Sequence, residues 1–289
     1  MKTYIIIVNY FCHSYTSKCI KSIEKSDNLD FVKILIVDNS DNDLEFKQLQ
    51  DSVSENINMQ LDYKIIKTEC NLGFAGGINF GLYHIRKSEL SSNFYVWVLN
   101  PDTKIDNNSL PELLKTFNYK IHSVVGSIIK DYNGDFIIAS HGEFNPNLGQ
   151  IVTKTNNKIS SKYFYPIGAS LLTSNSVLIA LGDFDEEYFL YFEELDFVLK
   201  GLKKGLKPAI AENSFIYHSQ GATTNNKSKG NKNLAILEFK SIGLNKLYSK
   251  HFPKLSHGLK IGLLIKSLKF VYKGQVSEAK IFFKQLFLK

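Results

Sequence analysis

The sequence has few of the residues that build disulfide scaffolds and no run long enough to span a membrane. Its three cysteines, Cys12, Cys19 and Cys70, form no CxxC pair and leave one thiol over in any disulfide scheme. That usage favours a reduced, cytosolic compartment. No apolar stretch approaches the roughly 18 residues of a spanning helix, and the run at residues 5–8 is too short for a signal-peptide core. We therefore expect a cytoplasmic protein.

Several catalytic motifs are also missing. The sequence contains no HExxH or His/Cys cluster, no GxSxG elbow and no P-loop. These absences argue against zinc proteases, α/β-hydrolases and kinase-like enzymes. Gly73, Gly76 and Gly77 precede a predicted helix and suit the approach of a phosphate to its N-terminus. They do not spell GxGxxG and they follow the third predicted strand, so a Rossmann dehydrogenase is a weak interpretation.

Positive charge is concentrated near the end of the sequence. The formal net charge is +7, and residues 250–289 hold nine lysines and one glutamate, a balance of +8 that leaves about −1 for residues 1–249. This distribution argues against a nucleic-acid-binding surface. Apolar residues make up 44% of the chain and charged residues 22%, which predicts a globular protein rather than a disordered one.

Alternating patterns predict an α/β fold with a parallel sheet, because buried parallel strands read as continuous apolar runs. Such runs lie at residues 4–8, 31–37, 61–67 and 94–99, with helical patterns at 15–26, 44–57 and 74–87. After residue 121, shorter runs predict a mixed or antiparallel edge region; they lie at 123–129, 135–139 and 163–173. The remaining predictions are a helix at 193–204, strands at 208–210 and 215–218, a loop at 220–233, and helices from residue 234 onward.

Polar residues follow three successive predicted strands. Asp38 ends the second, the glycine-rich stretch follows the third, and Asn100, Pro101 and Asp102 follow the fourth. Ligands of open parallel sheets bind at the carboxyl ends of the strands, although turns and helix caps prefer the same residue types. A carboxylate at Asp102 suits Mg²⁺ bridging diphosphate oxygens, with an Asx turn as the structural alternative.

An acidic and aromatic segment occupies residues 183–196, where seven carboxylates alternate with aromatic side chains. A solvated acidic helix face does not carry so many aromatic residues, so we expect a cation, a polyhydroxyl ligand or carboxyl groups with raised pKa values. For Glu193 and Glu194 the alternative is a helix start, where the dipole favours acids.

The basic tail is patterned for amphipathic helices. Between residues 259 and 273, apolar residues surround a stripe at Gly262, Lys266, Lys269 and Lys273, spaced as one helix face. Such helices either pack on the catalytic domain or a dimer partner, or dock on anionic lipid, where each lysine contributes about 1 kcal/mol. We predict an anionic membrane surface as the partner of residues 255–289 and leave a homodimer open.

Seven short motifs follow one another in order between residues 4 and about 221. They lie at residues 8–10, 36–40, 71–81, 99–102, 167–169 and 182–196, and at His218 with Gly221. In this order they resemble glycosyltransferase family 2, and within it the branch that includes the bacterial rhamnosyltransferases. The resemblance implies a GT-A fold, in which a nucleotide-binding α/β half joins an acceptor-binding half.

The resemblance also implies roles for the matched positions. Residues implied to hold the donor are Asn9, Asp38, Asn71, Gly73, Phe74, Gly76, Asn79, Asn100, Asp102 and Gly168. Asp102, in Asn-Pro-Asp, corresponds to the family's metal-binding aspartate, and His218 to a second ligand for Mg²⁺ or Mn²⁺. Glu194 corresponds to the general base, although Glu193 and Asp196 lie close enough in sequence to take that role. Leu244, before Asn245, stands where the branch has an arginine.

Together these implications describe an inverting glycosyltransferase of surface polysaccharide synthesis, peripheral on the inner face of the cell membrane. Its donor is dTDP-rhamnose or a UDP-sugar, and its acceptor is a hydroxyl of a lipid-linked or oligosaccharide glycan. We expect a GT-A domain at residues 1–221 and a basic helical extension at 222–289. Two other classes stay open: a degenerate glycosyltransferase acting as a sugar-nucleotide-binding assembly subunit, and a sugar nucleotidyltransferase, which needs an N-terminal glycine-rich loop that residues 5–12 lack.

Overall fold

The structure, a computed structural model, describes residues 1–26, 29–56, 61–89, 91, 93–219 and 229–287. Its first half alternates strands and helices as predicted. These elements are β1 (Thr3–Asn9), α1 (His13–Ile23), β2 (Val32–Asp38), α2 (Asp43–Asn56), β3 (Asp62–Lys67), α3 (Gly73–Ser88) and β4 (Tyr95–Leu99). The strands pair in the order β3-β2-β1-β4, all parallel. Their carboxyl ends therefore meet at one edge of the sheet.

The second half contains shorter and more varied elements. They are β5 (Thr103–Ile105), α4 (Ser109–Thr116), β6 (His122–Asp131), β7 (Ile137–Ala139), β8 (His141–Asn145), β9 (Gln150–Lys154), β10 (Phe164–Tyr165), β11 (Ser170–Ser174), α5 (Asn175–Leu181), α6 (Glu193–Lys203), β12 (Lys207–His218), α7 (Lys229–His251), α8 (Ser256–Tyr272) and α9 (Val276–Lys284). The two short strands predicted at 208–210 and 215–218 form one strand, β12, with an irregular register between Ala211 and Phe215.

The main sheet is mixed, with the order β3-β2-β1-β4-β11-β6-β12-β5 and β7 paired to β6. β11 is antiparallel to both β4 and β6, which confirms the predicted antiparallel character. Whereas β7 lies off the main strand path and pairs with β6, the predicted edge position is wrong for β11 and β6, which lie inside the sheet. Their polar residues are tolerated there because Ser170 accepts from the Trp97 indole at 2.9 Å and bonds to Ser127 at 2.8 Å.

A small antiparallel sheet, in the order β10-β8-β9, contacts the C-terminal helices through its β8–β9 turn. The turn between β8 and β9 packs against α8 so closely that a Cβ at Gly258 or Gly262 would overlap the carbonyl oxygen of Asn147 or Leu148. Gly262, the first residue of the predicted basic stripe of α8, therefore packs against protein. Lys266, the next member of the stripe, donates to the carbonyl oxygen of Gly149 at 3.1 Å.

The C-terminal helices share the hydrophobic core of the α/β part. Leu244, Tyr248 and Leu259 are buried in the same cluster as the strands of the main sheet. A division of the chain at residue 221 stays a prediction. Part of the predicted loop, residues 220–228, lies outside the described residues, whereas residues 229–233 belong to α7, so a loop there is wrong. Among the described residues, no helix has the length and apolarity required to cross a membrane.

Candidate active site

Asn9 and Asp38 end neighbouring strands and are fully buried. They pair in register, and the side-chain amide of Asn9 donates to Oδ1 of Asp38 at 2.9 Å. The Ser40 hydroxyl donates to the same oxygen at 2.7 Å. Oδ2 of Asp38 is buried and has no hydrogen-bond partner among the described residues. A buried acceptor without a partner is costly, so this oxygen is available to a hydroxyl or N–H of a ligand.

Asn39 organises the loop that leads into α3. Its amide donates to the Gly73 carbonyl at 2.9 Å and to Oδ1 of Asn71 at 3.1 Å. Gly73 has a φ of +74°, and a Cβ there would overlap the carbonyl oxygen of Phe189. The N–H of Phe74 donates to that same oxygen at 2.8 Å. The glycine therefore permits the start of α3 to contact the acidic segment.

Gly76 and Asn79 face the acidic segment further along α3. The Asn79 amide donates to the carbonyl oxygen of Phe184 at 2.7 Å and to Oε1 of Glu186 at 2.9 Å. A Cβ at Gly76 would lie 2.7 Å from the Cβ of Leu72. These contacts hold α3 against residues 183–189, which in turn position the start of α6.

Asp102 and His218 come together from distant parts of the sequence. The antiparallel pairing of β12 with β5 places His218 opposite Thr103, and Nε2 of His218 lies 3.0 Å from Oδ1 of Asp102. Nearby, Oδ1 of Asn100 is buried without a partner among the described residues. This cluster joins the end of β4 to the end of β12.

The Asp102–His218 pair is the candidate site for the expected cation. Within the described part of the chain, no group of three or more His, Cys, Asp or Glu side chains could hold a metal ion. Mg²⁺ is commonly bound by one or two carboxylates with substrate phosphates completing its shell, and imidazole is an accepted ligand of transition metals such as Mn²⁺. The pair therefore fits a divalent cation that shares its shell with a diphosphate.

Glu193 and Glu194 begin α6 directly after two residues in the left-handed region, Tyr191 at φ 72° and Phe192 at φ 77°. Non-glycine residues in this region cost of order 1–3 kcal/mol and occur where surrounding contacts enforce them, often at functional sites. Oε2 of each glutamate is buried without a hydrogen-bond partner among the described residues. Gly168 faces Glu194, where an added Cβ would lie 3.7 Å from its Oε1.

The two carboxyl groups interact with each other. Burial, followed by the negative charge of Glu194, raises the pKa of Glu193 well above 4.5. Burial also raises the pKa of Glu194, but a hydrogen bond from Glu193 and the charge of Lys240 act in the opposite direction. The two carboxyl groups therefore titrate as a coupled pair with raised pKa values, and the charge of Lys240 favours the ionised form of Glu194.

Asp196 lies elsewhere. Its Oδ1 is 2.7 Å from Nε2 of His251 and its Oδ2 is 3.1 Å from Nζ of Lys200. Burial raises the pKa of Asp196, but the hydrogen bond from His251 and the charge of Lys200 outweigh burial and lower it. This side chain joins α6 to α7, and the structure does not bring it to the cavity that Glu194 lines.

That cavity has a volume of about 680 Å³ and lies between the sheet, α6 and the C-terminal helices. Of the predicted site residues, it is lined by Phe74, Asn100, Gly168, Glu193, Glu194 and His218. The other predicted donor and metal residues make hydrogen bonds or close contacts nearby but do not line the cavity. They are Asn9, Asp38, Asn71, Gly73, Gly76, Asn79 and Asp102. A concavity of about 630 Å³ near Lys2 and Asp62 contains none of the predicted site residues.

Sequence reasoning missed the cavity wall that the C-terminal helices supply. Its residues are Lys240 and Leu244 of α7, Lys266 and Phe270 of α8, and Phe282 of α9. The sequence marks Lys266 only as part of a basic stripe and Leu244 only as standing where the branch has an arginine, and no local pattern shows that either residue faces a cavity. Asn39 was noticed within a motif, and its position directly after Asp38 is the signal that could have marked it as a site residue.

A known family matches this chain. The sequence model described as Glycosyl transferase family 2 matches residues 4–182. The chain belongs to glycosyltransferase family 2. The low-salt glycan biosynthesis hexosyltransferase Agl10 of Haloferax volcanii is 23% identical over 265 residues, which cover 88% of this chain and 78% of Agl10. This chain is therefore a glycosyltransferase. The family match ends before Glu193, so the roles of the acidic segment stay predictions.

Solved structures share the fold. The mannosyltransferase PcManGT from Pyrobaculum calidifontis, in complex with GDP-Man and Mn²⁺, has a TM-score of 0.61 at 10% identity and covers 98% of this chain and 85% of its own. S. aureus TarS 1–349, in complex with UDP-GlcNAc, has a TM-score of 0.55 at 14% identity, covering 98% and 91%. Both similarities concern the fold alone, and they confirm the predicted GT-A fold.

Proposed function

We propose that this glycosyltransferase transfers one sugar, with inversion, from a nucleoside diphosphate donor to a hydroxyl group of a glycan acceptor. The observation that carries the proposal is the Glu193–Glu194 pair in the cavity that Asn100, Gly168 and His218 also line. The donor is dTDP-rhamnose, as in the branch that the sequence resembles, or a UDP-sugar. TarS and PcManGT support a sugar-nucleotide donor, since they are complexed with UDP-GlcNAc and GDP-Man.

Glu194 acts as the general base in this proposal. Its carboxylate takes the proton of the acceptor hydroxyl while that oxygen bonds to the anomeric carbon. The bond from the anomeric carbon to the diphosphate oxygen breaks on the opposite face, and the nucleoside diphosphate leaves with the electron pair. A single displacement inverts the configuration. The charge of Lys240, which favours the ionised form of Glu194, supports this assignment.

The donor side would be held by residues at the strand ends. The unpartnered Oδ2 of Asp38 suits a ribose hydroxyl or a base N–H, and Asn9 orients that carboxylate. Asp102 and His218 would hold Mg²⁺ or Mn²⁺, which offsets negative charge on the diphosphate. Mn²⁺ in PcManGT supports a divalent ion.

We further propose that α8 and α9 dock on the inner face of an anionic membrane, where a lipid-linked acceptor of surface glycan synthesis is found. The supporting observation is an exposed apolar surface, defined as Ile261, Leu264, Ile265, Leu268, Val271, Tyr272, Phe283 and Phe287. Exposed Lys269, Lys280 and Lys284 belong to the same two helices, and exposed Lys273 directly follows α8. A homodimer through this surface is the alternative occupant.

The enzymatic proposal is tested by release of nucleoside diphosphate from candidate donors. Purified protein is incubated with Mn²⁺ and dTDP-rhamnose, UDP-glucose, UDP-galactose, UDP-N-acetylglucosamine or GDP-mannose, and we expect slow hydrolysis of one donor, abolished by EDTA. The control is a chelated sample to which excess Mn²⁺ is restored. Binding of a donor without release under any condition contradicts an enzyme and favours a sugar-nucleotide-binding assembly subunit.

A further inference from the structure

Two lysines of the C-terminal helices line the cavity without an ion pair to any carboxylate of the described residues. Lys240 of α7 and Lys266 of α8 both contribute to its wall. Over the described residues, neither ammonium group has a carboxylate oxygen within 4.0 Å, whereas Lys200 and Lys250 pair with Asp196 and Asp185 at 3.1 and 2.5 Å. A cation that lines a cavity and lacks a paired anion is a candidate anion site.

Neutral groups hold both ammonium groups in position. Nζ of Lys240 lies 4.4 Å from the centre of the Tyr191 ring, where a cation–π contact is favourable. Nζ of Lys266 donates to the carbonyl oxygen of Gly149 at 3.1 Å. Neither contact removes the positive charge, so both charges remain available to a ligand.

The two charges also act on each other. Burial, followed by the charge of Lys240, lowers the pKa of Lys266. Removal of water likewise lowers the pKa of Lys240, with the charge of Glu194 acting in the opposite direction. An anion bound between the two ammonium groups would relieve their repulsion and replace the lost water.

The neighbouring wall is apolar. Leu244, Phe270 and Phe282 line the same cavity, and the rings of Phe270 and Phe282 stack with their centres 5.5 Å apart. On the outer side of α8, Leu264, Ile265 and Leu268 are exposed. Cationic and apolar groups on one wall match a ligand that carries both a phosphate and an apolar chain.

We propose that Lys240 and Lys266 form an anion-binding site for the acceptor, where they hold the phosphate group of a phosphate ester with an apolar chain. The identification of this ligand as the acceptor rests on the proposed function, whereas the existence of an anion-binding site does not. Apart from Gly168, which precedes β11, the predicted donor residues lie at the ends of β1, β2 and β4 and in or just before α3. Both lysines come from α7 and α8. For that reason the acceptor, not the donor diphosphate, is assigned to them.

Calorimetric titration of the full-length protein tests the site without requiring turnover. Farnesyl phosphate and farnesol are compared as probes, because they share the chain and differ in the phosphate. We expect farnesyl phosphate to bind at least tenfold more tightly than farnesol, also when UDP, GDP or dTDP with Mn²⁺ saturates the donor side. Hydrogen bonds to charged groups contribute about 1.5–3 kcal/mol, so Lys266→Gln should weaken farnesyl phosphate binding by about 10- to 100-fold.

Matched variants separate charge from structure. Lys266→Arg should retain binding of farnesyl phosphate, because it keeps the charge. Lys240→Gln should weaken it as Lys266→Gln does. Lys204→Gln removes the same charge from an exposed lysine outside the cavity and should change nothing. Near-identical melting temperatures across the series establish that each variant is folded.

Three results would overturn the assignment. Equal affinity for farnesyl phosphate and farnesol contradicts an anion site. If Lys266→Gln loses as much affinity for nucleoside diphosphate as for farnesyl phosphate, the lysines belong to the donor side. Charge-selective binding of glucuronate over glucose, without selectivity for farnesyl phosphate, assigns the site to a carboxylate. An absence of donor hydrolysis together with selective farnesyl phosphate binding contradicts the proposed function and leaves the anion site intact.

Discussion

Glu194 is the proposed base because it lines the cavity and the charge of Lys240 favours its ionised form. We expect Glu194→Gln to lower kcat by about 10²- to 10⁴-fold, since loss of a general base has that effect. Donor affinity, measured by calorimetry, should change little because size and hydrogen-bonding capacity are kept. In the wild type the raised pKa of Glu194 places the acid limb of the rate profile above pH 4.5, because the rate falls as the base becomes protonated.

Glu212→Gln is the matched control for that experiment, because Glu212 is exposed and does not line the cavity. Should Glu193→Gln lose turnover while Glu194→Gln retains it, the base is Glu193.

Among the site residues, those at strand ends could be predicted because polar side chains after buried strands are visible in the sequence. The choice between Glu194 and Asp196 could not. Two successive steps along an α-helix rotate the side-chain direction by about 200° around the helix axis. Glu194 and Asp196 therefore point to nearly opposite sides of α6 and cannot both face one cavity. The sequence does not say which side is covered, because that depends on His251, which lies 55 residues away from Asp196 in the chain.

At the scale of elements, Asp196 links α6 to α7. We expect Asp196→Asn to lower the free energy of unfolding by about 1.5–3 kcal/mol, since it removes a buried charged hydrogen-bond acceptor of His251. The folded pKa of Asp196 is lowered, so its stabilising effect is fully present above the unfolded pKa of about 3.9 and is lost as pH falls through the folded value. Urea unfolding between pH 3 and 7 measures both effects.

The matched control is Asp135→Asn, at an exposed position outside this contact. If Asp196→Asn is as stable as that control and yet loses turnover, the residue acts in catalysis and the structural role is wrong.

Most of the parallel half of the sheet was predictable because β1, β2 and β4 are largely buried and contain continuous apolar runs, whereas β3 is partly exposed. The position of β11 was not, since its five residues include Ser170, Thr173 and Ser174. Their burial depends on partners far along the chain: Ser170 bonds to Trp97 and Ser127, and Thr173 donates to the Ser123 carbonyl at 2.8 Å. Such long-range hydrogen bonds leave no periodic signal in the sequence.

At the scale of the whole molecule, the C-terminal helices have two different faces. The inner face buries Leu259 and Leu263 and carries Lys266 toward the cavity. The outer face exposes apolar side chains, among them Leu268 at 58% and Tyr272 at 94%. The sequence pattern therefore predicts the amphipathic helices correctly. The first two residues of the predicted stripe, Gly262 and Lys266, contact protein. An exposed apolar surface such as this outer face is typical of a site that contacts a membrane or another protein.

The outer face leads to a prediction about lipid binding. We expect the wild type to co-sediment with phosphatidylglycerol vesicles and not with phosphatidylcholine vesicles, and high salt to release it, because exposed lysines contribute about 1 kcal/mol each near an anionic surface. Deletion of residues 255–289 is unsuitable as a test, since Leu259, Leu263 and Phe282 are buried in the core.

The double variant Leu264→Gln, Leu268→Gln tests the apolar part instead and should weaken sedimentation by at least about tenfold, given roughly 25 cal/mol for each Å² of apolar surface transferred out of water. Ile179→Gln alters a side chain on α5 that is 64% accessible, more than Leu264 at 41% or Leu268 at 58%, and should bind like the wild type. Wild-type binding to phosphatidylcholine as strong as to phosphatidylglycerol would eliminate the electrostatic contribution. An absence of vesicle binding, together with a concentration-dependent dimer in analytical ultracentrifugation that the double variant lacks, would assign this face to a second copy of the chain, because the same apolar side chains would then be buried between two protomers.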